Sequence, residues 1–582
     1  MKRRVFLAMP MAALGADKLE DDTVLRAMRD ELERSRKLRL VENDPPYYIE
    51  YALDELNSTS LVATEGAIVS SNENISRIPR VQVRVGDYSF DNTNYMFSDF
   101  FAGGGGGRVP VDNSYDVIRH HFWLSTDRAF KGSVEAISRK RAALRNITQQ
   151  EKLNDFSKAE PVKLYKQSTK VVKKQAEWTR MMRELSGLFA DYPKVTRSQV
   201  EMDVSYATSY FVNSEGTELR YPDDLFYVRV RASAQAKDGM PVRDAAVFQS
   251  RTLERLPSAQ EIRQGVIEVA KTITALTEAP AAEDYSGPVL IEGAASGQLF
   301  AQLLGASLGL SRRPVNEPGR NIPLPTSELE GRMGSRILPE WMDVVDDPTQ
   351  TSYKGHELQG YYPVDMEGVA PKPLTVVEKG SVKNFLMTRL PVRGFEGSNG
   401  RARLPGPFGS KAAIFTNLFV QAKESVPASD LKKKLLDMVA QRGKPYGIII
   451  RKLDFPASGA MEEIRRQSTA NGQRGGSSRP SSLPTLIYRI YPDGREELVR
   501  GLRFRTLNVR TLRDIVAASS EETIFDFIGN GSALPVMGQG GYVSTHTVVA
   551  PSVLFEDLEL EKREEDWPKL PIVPPPDLLT SR

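Results

Sequence analysis

The chain has 582 residues, more than one hydrophobic core usually supports, so two or three domains are expected. Its 78 lysines and arginines nearly balance its 75 acidic residues, which gives a formal net charge of +3. This balance argues against a protein held on nucleic acid by a global positive field, and we predict no nucleic-acid partner. No apolar run reaches the roughly 18 residues that a membrane-spanning helix requires, so no membrane span is predicted in the mature chain.

The N-terminus has the pattern of a secretory leader. Residues 2–4 are basic, residues 5–16 are uncharged, and Asp17 opens a strongly charged region. A basic start, an apolar stretch and a small-residue exit are typical of an exported protein. We therefore predict a leader over residues 1–16 and a periplasmic or secreted location. Residues 3–7 also fit the twin-arginine pattern of leaders that export folded proteins. The alternative to a leader is the frayed terminus of a cytosolic protein.

Residues 17–280 predict an N-terminal domain of antiparallel sheet with long helices. Helices are expected over about residues 18–40, 127–153, 171–188 and 258–276, and strands over residues 47–53, 59–70 and 81–85, with at least three more after Tyr192. Asn213-Ser214-Glu215-Gly216 predicts a hairpin turn. The five glycines of residues 103–107 predict an exposed loop, because the Gly-Lys-Ser/Thr ending of a phosphate loop is missing. The small residues and proline of residues 279–282 predict a linker.

The C-terminal half opens with GPVLIEGAASGQLFAQLLGASL, an apolar strand that begins at Gly287 and leads into a helix. We expect that helix to be buried over residues 299–308, inside a β-rich domain of residues 281–566. Pro492-Asp493-Gly494 predicts a hairpin between residues 485–491 and 496–502, after an exposed loop at 467–482. Residues 567–582 form a proline-rich tail. The predicted fold class is α+β.

Several phrases in this half resemble the TldD/PmbA family, a metallopeptidase-related family. Asp365-Met366-Glu367-Gly368-Val369 matches the family's Asp-Asp-Glu-Gly phrase except at Met366. The other similar phrases are Glu378-Lys379-Gly380, Ser398-Asn399-Gly400-Arg401, Asn417-Leu418-Phe419 and the closing run THTVVAPSVLFEDLELEK. The order of these phrases along the chain carries the resemblance, which covers most of the mature sequence.

The family's peptidase bears His-Glu-x-x-x-His at the start of the same helix. In this chain the motif falls on Ala301, Gln302 and Ala306, and the intervening glycine is retained as Gly305. Zinc needs N, S or O donors, and a hydrolytic site also needs a general base. Alanine supplies no lone pair, glutamine is not a useful base near neutral pH, and the chain contains no cysteine to act as a thiolate ligand. We therefore predict no metal, no cofactor and no catalytic residue at the motif positions.

A different catalytic site is the second hypothesis. His356-Glu357 looks like the beginning of a zinc helix, but the i+4 position is Gly360, so a strand or loop is favoured. Asp365 and Glu367 could perform acid–base chemistry if they converge with other groups. The alternative site is thus His356 with Asp365 and Glu367, whereas His546, in an alternating strand, is expected to be packed or solvated.

The resemblance implies a dimer that encloses a central cavity. In the family, a zinc-bearing subunit pairs with a PmbA-type subunit that lacks the metal, and the pair cleaves or processes peptides. We predict an exported, catalytically degenerate member that acts as a peptide-binding or partner subunit, in a homodimer or in a heterodimer with a related subunit. The alternatives are an active peptidase with an atypical site and an envelope structural protein with a filled interior.

Overall fold

The computed structural model of the chain describes residues 22–39, 45–96, 109–145, 153–316, 327–405, 411–456, 482–530, 543–564 and 567. The predicted leader, the glycines of residues 103–107, the tail beyond Trp567 and all but the last residue of the 467–482 loop lie outside these ranges. No helix within the described ranges is long and apolar enough to cross a membrane.

Seven α-helices are found among the described residues. They are α1 (Thr23–Ser35), α2 (Tyr115–Leu144), α3 (Gln175–Gly187), α4 (Ala259–Glu278), α5 (Ala294–Phe300), α6 (Ala306–Leu308) and α7 (Ala428–Gln441). The four helices predicted before the linker are confirmed in their described parts, although α2 begins well before residue 127. Helix α7 was not predicted from the sequence.

The strands are more numerous than the helices and differ widely in length. In the first half they are β1 (Pro46–Thr64), β2 (Ala67–Val85), β3 (Tyr95–Met96), β4 (Lys163–Tyr165), β5 (Arg197–Asn213), β6 (Glu218–Pro222), β7 (Leu225–Gln235) and β8 (Pro241–Ser250). The second half contains β9 (Tyr285–Ile291), β10 (Val315–Asn316), β11 (Met342–Asp346), β12 (Ser352–Tyr353), β13 (His356–Glu357), β14 (Leu374–Glu378), β15 (Ser381–Val382), β16 (Ala402–Pro405), β17 (Lys411–Ala413), β18 (Asn417–Ala422), β19 (Gly447–Leu453), β20 (Pro484–Ile490), β21 (Glu496–Val499), β22 (Leu502–Phe504), β23 (Ile515–Asn530) and β24 (Val543–Lys562). The predicted hairpin turns at residues 213–216 and 492–494 are confirmed, because they join β5 to β6 and β20 to β21.

The N-terminal sheet has seven strands and is antiparallel except for the short pair β4 and β6. The expectation of three short strands between residues 47 and 85 is wrong. β1 and β2 are instead two continuous strands that pair along nearly their whole length, around a turn at Glu65 and Gly66, whose φ angles are 49° and 81°. The alternation of apolar residues is lost in the middle of β2 because that part of the hairpin is exposed to solvent.

All four N-terminal helices cover the same face of this sheet. α1 and α2 pack with Ile49 and Tyr51 of β1, whereas α3 and α4 pack with Leu61 of β1 and Val204 of β5. Residues of β1 at odd positions share one face, since side chains alternate along a strand. The opposite face turns toward the C-terminal half, where Phe211 of β5 contacts Val364.

The C-terminal sheet has eleven strands and is mixed. The main path is β15-β14-β11-β18-β24-β9-β19-β20-β21, and β22 and β23 also pair with β24. β24 runs parallel to β18 and antiparallel to β9, which itself runs parallel to β19. Together the two sheets and their helices confirm the α+β class; the predicted domain bounds at residues 280 and 566 stay predictions.

The helix of the motif and α7 lie on opposite faces of the C-terminal sheet. Val289 and Ile291 of β9 belong to the core that includes Leu299 and Leu304, whereas Leu290 packs against α7. Because neighbouring positions of a strand point to opposite faces, this pattern places α5, the following turn and α6 in the main core. The expectation of a buried helix over residues 299–308 is confirmed.

Candidate functional site

The helix with the motif positions is interrupted by a wider turn. α5 begins after Gly293, whose φ is 61°, and residues Ala301–Gly305 form a π-helical turn before α6. Leu299, Leu304 and Leu308 are fully buried and anchor the segment in the core. π turns are rare and often lie at functional sites. In this chain the π turn coincides with the positions at which the family's peptidase carries its first histidine and glutamate.

The residues at those positions are an alanine and a glutamine held by the backbone. Ala301 is 3% exposed and packs in the core. Gln302 is half-buried: its Oε1 accepts a hydrogen bond from Ser482 N at 2.9 Å, and its Nε2 has no partner among the described residues. The side chain of Ala306 lies outside the described atoms. A carboxamide in place of the carboxylate cannot take a proton from water near neutral pH.

Two glycines of this helix are in direct contact with aromatic rings. A Cβ atom added to Gly305 would lie 2.0 Å from Cε1 of Phe415, and one added to Gly297 would lie 2.6 Å from Cβ of Phe525. Such distances are far inside van der Waals contact, which for carbon atoms is about 3.5–4 Å. The two phenylalanines therefore sit directly on the helix backbone, one of them beside the π turn.

These rings belong to a larger group, which we call the aromatic cluster: Phe415, Phe455, Phe525, Phe527 and His546. His546 stacks on Phe527 with ring centroids 4.5 Å apart and planes inclined by 7°, and its ring lies 5.0 Å from that of Phe415. Phe527 is also 5.2 Å from Phe455 and 5.4 Å from Phe525. Phe527 and His546 are paired across β23 and β24, so the two strands present the cluster to the helix from one face.

His546 is neutral inside this cluster. Its Nε2 lies 2.7 Å from Ser544 Oγ, and its Nδ1 has no hydrogen bond of ordinary geometry to a described residue. Burial lowers the pKa of His546 to about 3. Of the two expected environments, packed or solvated, the structure shows the packed one, and the ring is the fifth aromatic member of the cluster.

The donor chemistry around the helix does not fit zinc. A structural or catalytic zinc site takes three or four N, S or O ligands at about 2.0–2.3 Å. Ala301 offers no ligand atom, Gln302 offers a neutral amide, and the sequence has no cysteine. Within the described parts of the chain, no three histidine, aspartate or glutamate side chains are grouped closely enough to hold a metal ion.

His356 lies on the other side of the β23–β24 ribbon. Its Nε2 is 2.6 Å from Oδ2 of Asp526, whose Oδ1 accepts a hydrogen bond from Thr547 at 2.6 Å. Asp526 stands between Phe525 and Phe527 in β23, so its side chain points away from the face that carries the aromatic cluster. The hydrogen bond to Asp526 raises the pKa of His356. His356 therefore cannot complete a site on the motif helix.

Asp365 and Glu367 are buried and occupied by backbone hydrogen bonds. Asp365 Oδ1 accepts from the amides of Glu367 and Val369, both at 2.9 Å, and its Oδ2 accepts from the amide of Ala402 at 3.0 Å. Glu367 Oε2 accepts from the amide of Arg389 at 2.6 Å. Burial raises the pKa of both carboxyl groups, and the charge of Asp365 raises that of Glu367 further.

Charged side chains near this pair form ion pairs between the two halves of the chain. The guanidinium of Arg389 donates to Glu215 Oε1 at 2.6 Å, and Lys411 forms an ion pair with Glu50 at 3.2 Å. No hydrogen bond or ion pair between described residues connects His356 with Asp365 or Glu367. The structure thus does not join the three residues of the alternative site by hydrogen bonds or ion pairs, and Asp365 closes a backbone turn.

Comparison with known proteins identifies the family of the C-terminal domain. Residues 285–455 match the PmbA/TldA metallopeptidase C-terminal domain. The fold is similar to that of TldE from Thermococcus kodakarensis, with a TM-score of 0.54, 14% identity and coverage of 92% of this chain and 100% of the other. Over residues 285–455 the chain carries the C-terminal domain of the TldD/PmbA family, and nearly the whole chain has a fold similar to that of TldE.

Two further similarities cover less of this chain than the match to TldE. A candidate modulator of a DNA gyrase from Thermotoga maritima has a TM-score of 0.54 at 15% identity, covering 88% of this chain and 96% of the other. A protein from Archaeoglobus fulgidus described as a metalloprotease is 33% identical over 78 residues, which are 13% of this chain and 17% of that protein. The solved structures support the fold, and the archaeal match spans less than one fifth of its relative.

The TldD/PmbA phrases in the sequence turn out to be structural. Asp365 closes the turn of the Asp-x-Glu-Gly phrase, and Gly368 adopts a φ of 78° there. Arg401 is fully buried, with its Nε 2.9 Å from Asp346 Oδ2. Asn417 donates to the backbone carbonyl of Asp347 at 3.2 Å. These residues fix loops around the core.

Proposed function

We propose that this chain is a metal-free TldD/PmbA subunit that binds peptides and acts together with a second subunit, rather than a zinc peptidase. The observation that carries the proposal is the Phe415 ring on Gly305, beside the π turn that holds Ala301 and Gln302. The Phe415 ring packs on the π turn whose residues Ala301 and Gln302 offer neither a histidine ligand nor a carboxylate base.

The similarity of fold and the family resemblance support the peptide-binding role. The fold is shared with TldE along nearly the whole chain, and the resemblance described above assigns a metal-free subunit to peptide processing in pairs. We propose a homodimer or a heterodimer with a related subunit. The leader pattern of residues 1–16 supports export, and we propose a periplasmic or secreted location.

Binding and hydrolysis assays on the purified full chain test this proposal. A fluorescent unstructured peptide should bind, and its anisotropy should stay constant over hours, with and without a zinc chelator. A family member that carries His-Glu-x-x-x-His, purified in parallel, is the control that should cleave the same peptide in a chelator-sensitive way. Chelator-sensitive cleavage by this chain alone, abolished in a His356→Ala variant, would instead establish the atypical peptidase.

A second candidate, an envelope structural protein, is favoured by one observation. The aromatic cluster fills the interior beside the helix, as a purely structural descendant of the family would require. The two candidates differ in the peptide assay. A structural protein would bind no unstructured peptide at concentrations where the control protein is saturated.

A further inference from the structure

A row of polar side chains crosses the face of the N-terminal sheet that is turned away from its helices. Asp203 of β5 is paired with Tyr227 of β7, which is paired in turn with Gln249 of β8. We call these three residues the polar row, since directly paired residues of antiparallel strands point to the same face. Val204 and Phe248, which follow Asp203 and precede Gln249, pack in the core under the helices. The polar row therefore lies on the opposite face, toward the C-terminal half.

Gln249 is buried at the boundary between the two halves without using its side chain. It is 8% exposed, and neither its Oε1 nor its Nε2 has a hydrogen-bond partner in the described parts of the chain. A buried carboxamide that gives up water and gains no partner costs stability. The next residue shows the contrast, because the Ser250 hydroxyl donates to Glu357 Oε2 of the C-terminal half at 2.9 Å.

The other two members of the polar row are half-buried. The Tyr227 hydroxyl and the Asp203 carboxyl form no hydrogen bond or ion pair with another described residue. Burial raises the pKa of Asp203 to about 6, and a carboxyl group donates a hydrogen bond when protonated and accepts when ionised. The adjacent pair on the same strands differs, because Arg229 Nε donates to Glu201 Oε2 at 2.7 Å. The polar row thus keeps unused donors and acceptors beside a pair whose groups are already joined.

We propose that the polar row binds the backbone of an extended peptide, with the carboxamide of Gln249 paired to the N–H and C=O of one peptide residue. This assignment rests on the proposed peptide-binding function, and it names the site and the part of the peptide that is recognised. In an antiparallel sheet, a residue of an extended chain exchanges its N–H and its C=O with one partner residue on the same side. A carboxamide has both a donor and an acceptor, so it can take the place of that partner.

The spacing of the strands suits the same ligand. Neighbouring strands lie about 4.8 Å apart, so Asp203 is roughly 10 Å from Gln249 across the sheet. An extended chain covers this distance in about three residues. The Tyr227 hydroxyl and the Asp203 carboxyl would therefore meet polar backbone groups further along the peptide. Recognition through the backbone makes binding tolerant of the side chains that the peptide carries.

The test titrates one short unstructured peptide, and a set of its single N-methyl variants, onto the full chain by calorimetry. Each N-methyl group removes one backbone N–H. In the wild type, N-methylation at one position should weaken binding about tenfold. Gln249→Met should weaken binding of the unmethylated peptide by about the same factor and make that N-methyl group harmless. Because this substitution removes a buried amide without partners, the melting temperature of the variant should not fall.

Gln199→Met is the matched control. Gln199 is a half-buried glutamine of β5 on the same face, but its Nε2 donates to Glu201 Oε1 at 3.0 Å, so this variant should keep the wild-type affinity and N-methyl profile. The same N-methyl profile in wild type and Gln249→Met would overturn the assignment while leaving peptide binding intact. A melting temperature lowered by Gln249→Met would identify a structural amide and would also overturn it. If no peptide binds the wild type, the proposed function fails, and this assignment fails with it.

Discussion

Substitution of Gly305 by alanine probes the contact between the motif helix and the aromatic cluster. In a helix that is free of tertiary contacts, alanine is favoured over glycine by about 1 kcal/mol. At Gly305 the added Cβ would lie 2.0 Å from Phe415 Cε1 and 2.7 Å from Cδ1, so the ring or the helix must move. Overpacking of a filled core typically costs about 1–3 kcal/mol. We expect the clash to outweigh the propensity gain, with a net loss of roughly 1–2 kcal/mol.

A control and a double-mutant cycle make this prediction specific. Gly132→Ala in α2 meets no atom within 4 Å and should be stabilising by about 0.5–1 kcal/mol. Phe415→Ala alone should cost about 3–5 kcal/mol, and in that background Gly305→Ala should no longer be destabilising, which gives a coupling energy of about 1–3 kcal/mol. Urea unfolding followed by circular dichroism measures all four combinations. Additive effects, or stabilisation by Gly305→Ala alone, would refute the packing that we describe.

Three further predictions concern pH. The folded-state pKa of His546 lies below its ordinary 6.5, so wild-type stability should fall by about 2 kcal/mol between pH 6.5 and about 5. His546→Phe should lack this loss. Urea midpoints of the wild type and the variant that change equally with pH would contradict the prediction. The folded-state pKa of Glu367 is raised above 4.5, so stability is lost as the pH rises above 4.5. Glu367→Gln, which can still accept the hydrogen bond from Arg389 N, should be more stable than the wild type at about pH 8. An equal gain in stability at pH 4 would exclude this explanation. Asp526 raises the folded-state pKa of His356 above 6.5, so the stabilisation by this ion pair is present below pH 6.5 and is lost as the pH rises through the folded-state pKa. The difference in melting temperature between wild type and His356→Ala should therefore be wider at about pH 5.5 than at about pH 8.5. A difference that does not change with pH would argue against the ion pair.

Local patterns in the sequence predicted local structure well. α4 is an example, because Ser258 and Glu261 form a capping box and the apolar residues after them recur at helical spacing. The turns at Gly216 and Gly494 are equally local and were correctly placed. The start of α2 was missed because its first turns carry exposed Val117, Trp123 and Leu124 rather than an amphipathic pattern.

The candidate site depends on contacts that no local pattern reveals. The identities of Ala301 and Gln302 predict that zinc donors are missing, but they do not predict which side chains pack there. Phe415 reaches Gly305 from a distant part of the chain, and Phe527 meets His546 only because β23 pairs with β24 in one register. Long-range pairing of this kind is set by the tertiary fold, and the sequence alone could not place it.

Zinc content tests the central claim most directly, because Ala301 and Gln302 supply no histidine ligand and no carboxylate base at the positions of the peptidase motif. The purified full chain, loaded with zinc and then desalted, should be measured by mass spectrometry of the metal beside a family member with the complete motif. We predict far less than one zinc ion per chain for this protein and close to one for the control. One tightly held zinc ion per chain would contradict the account.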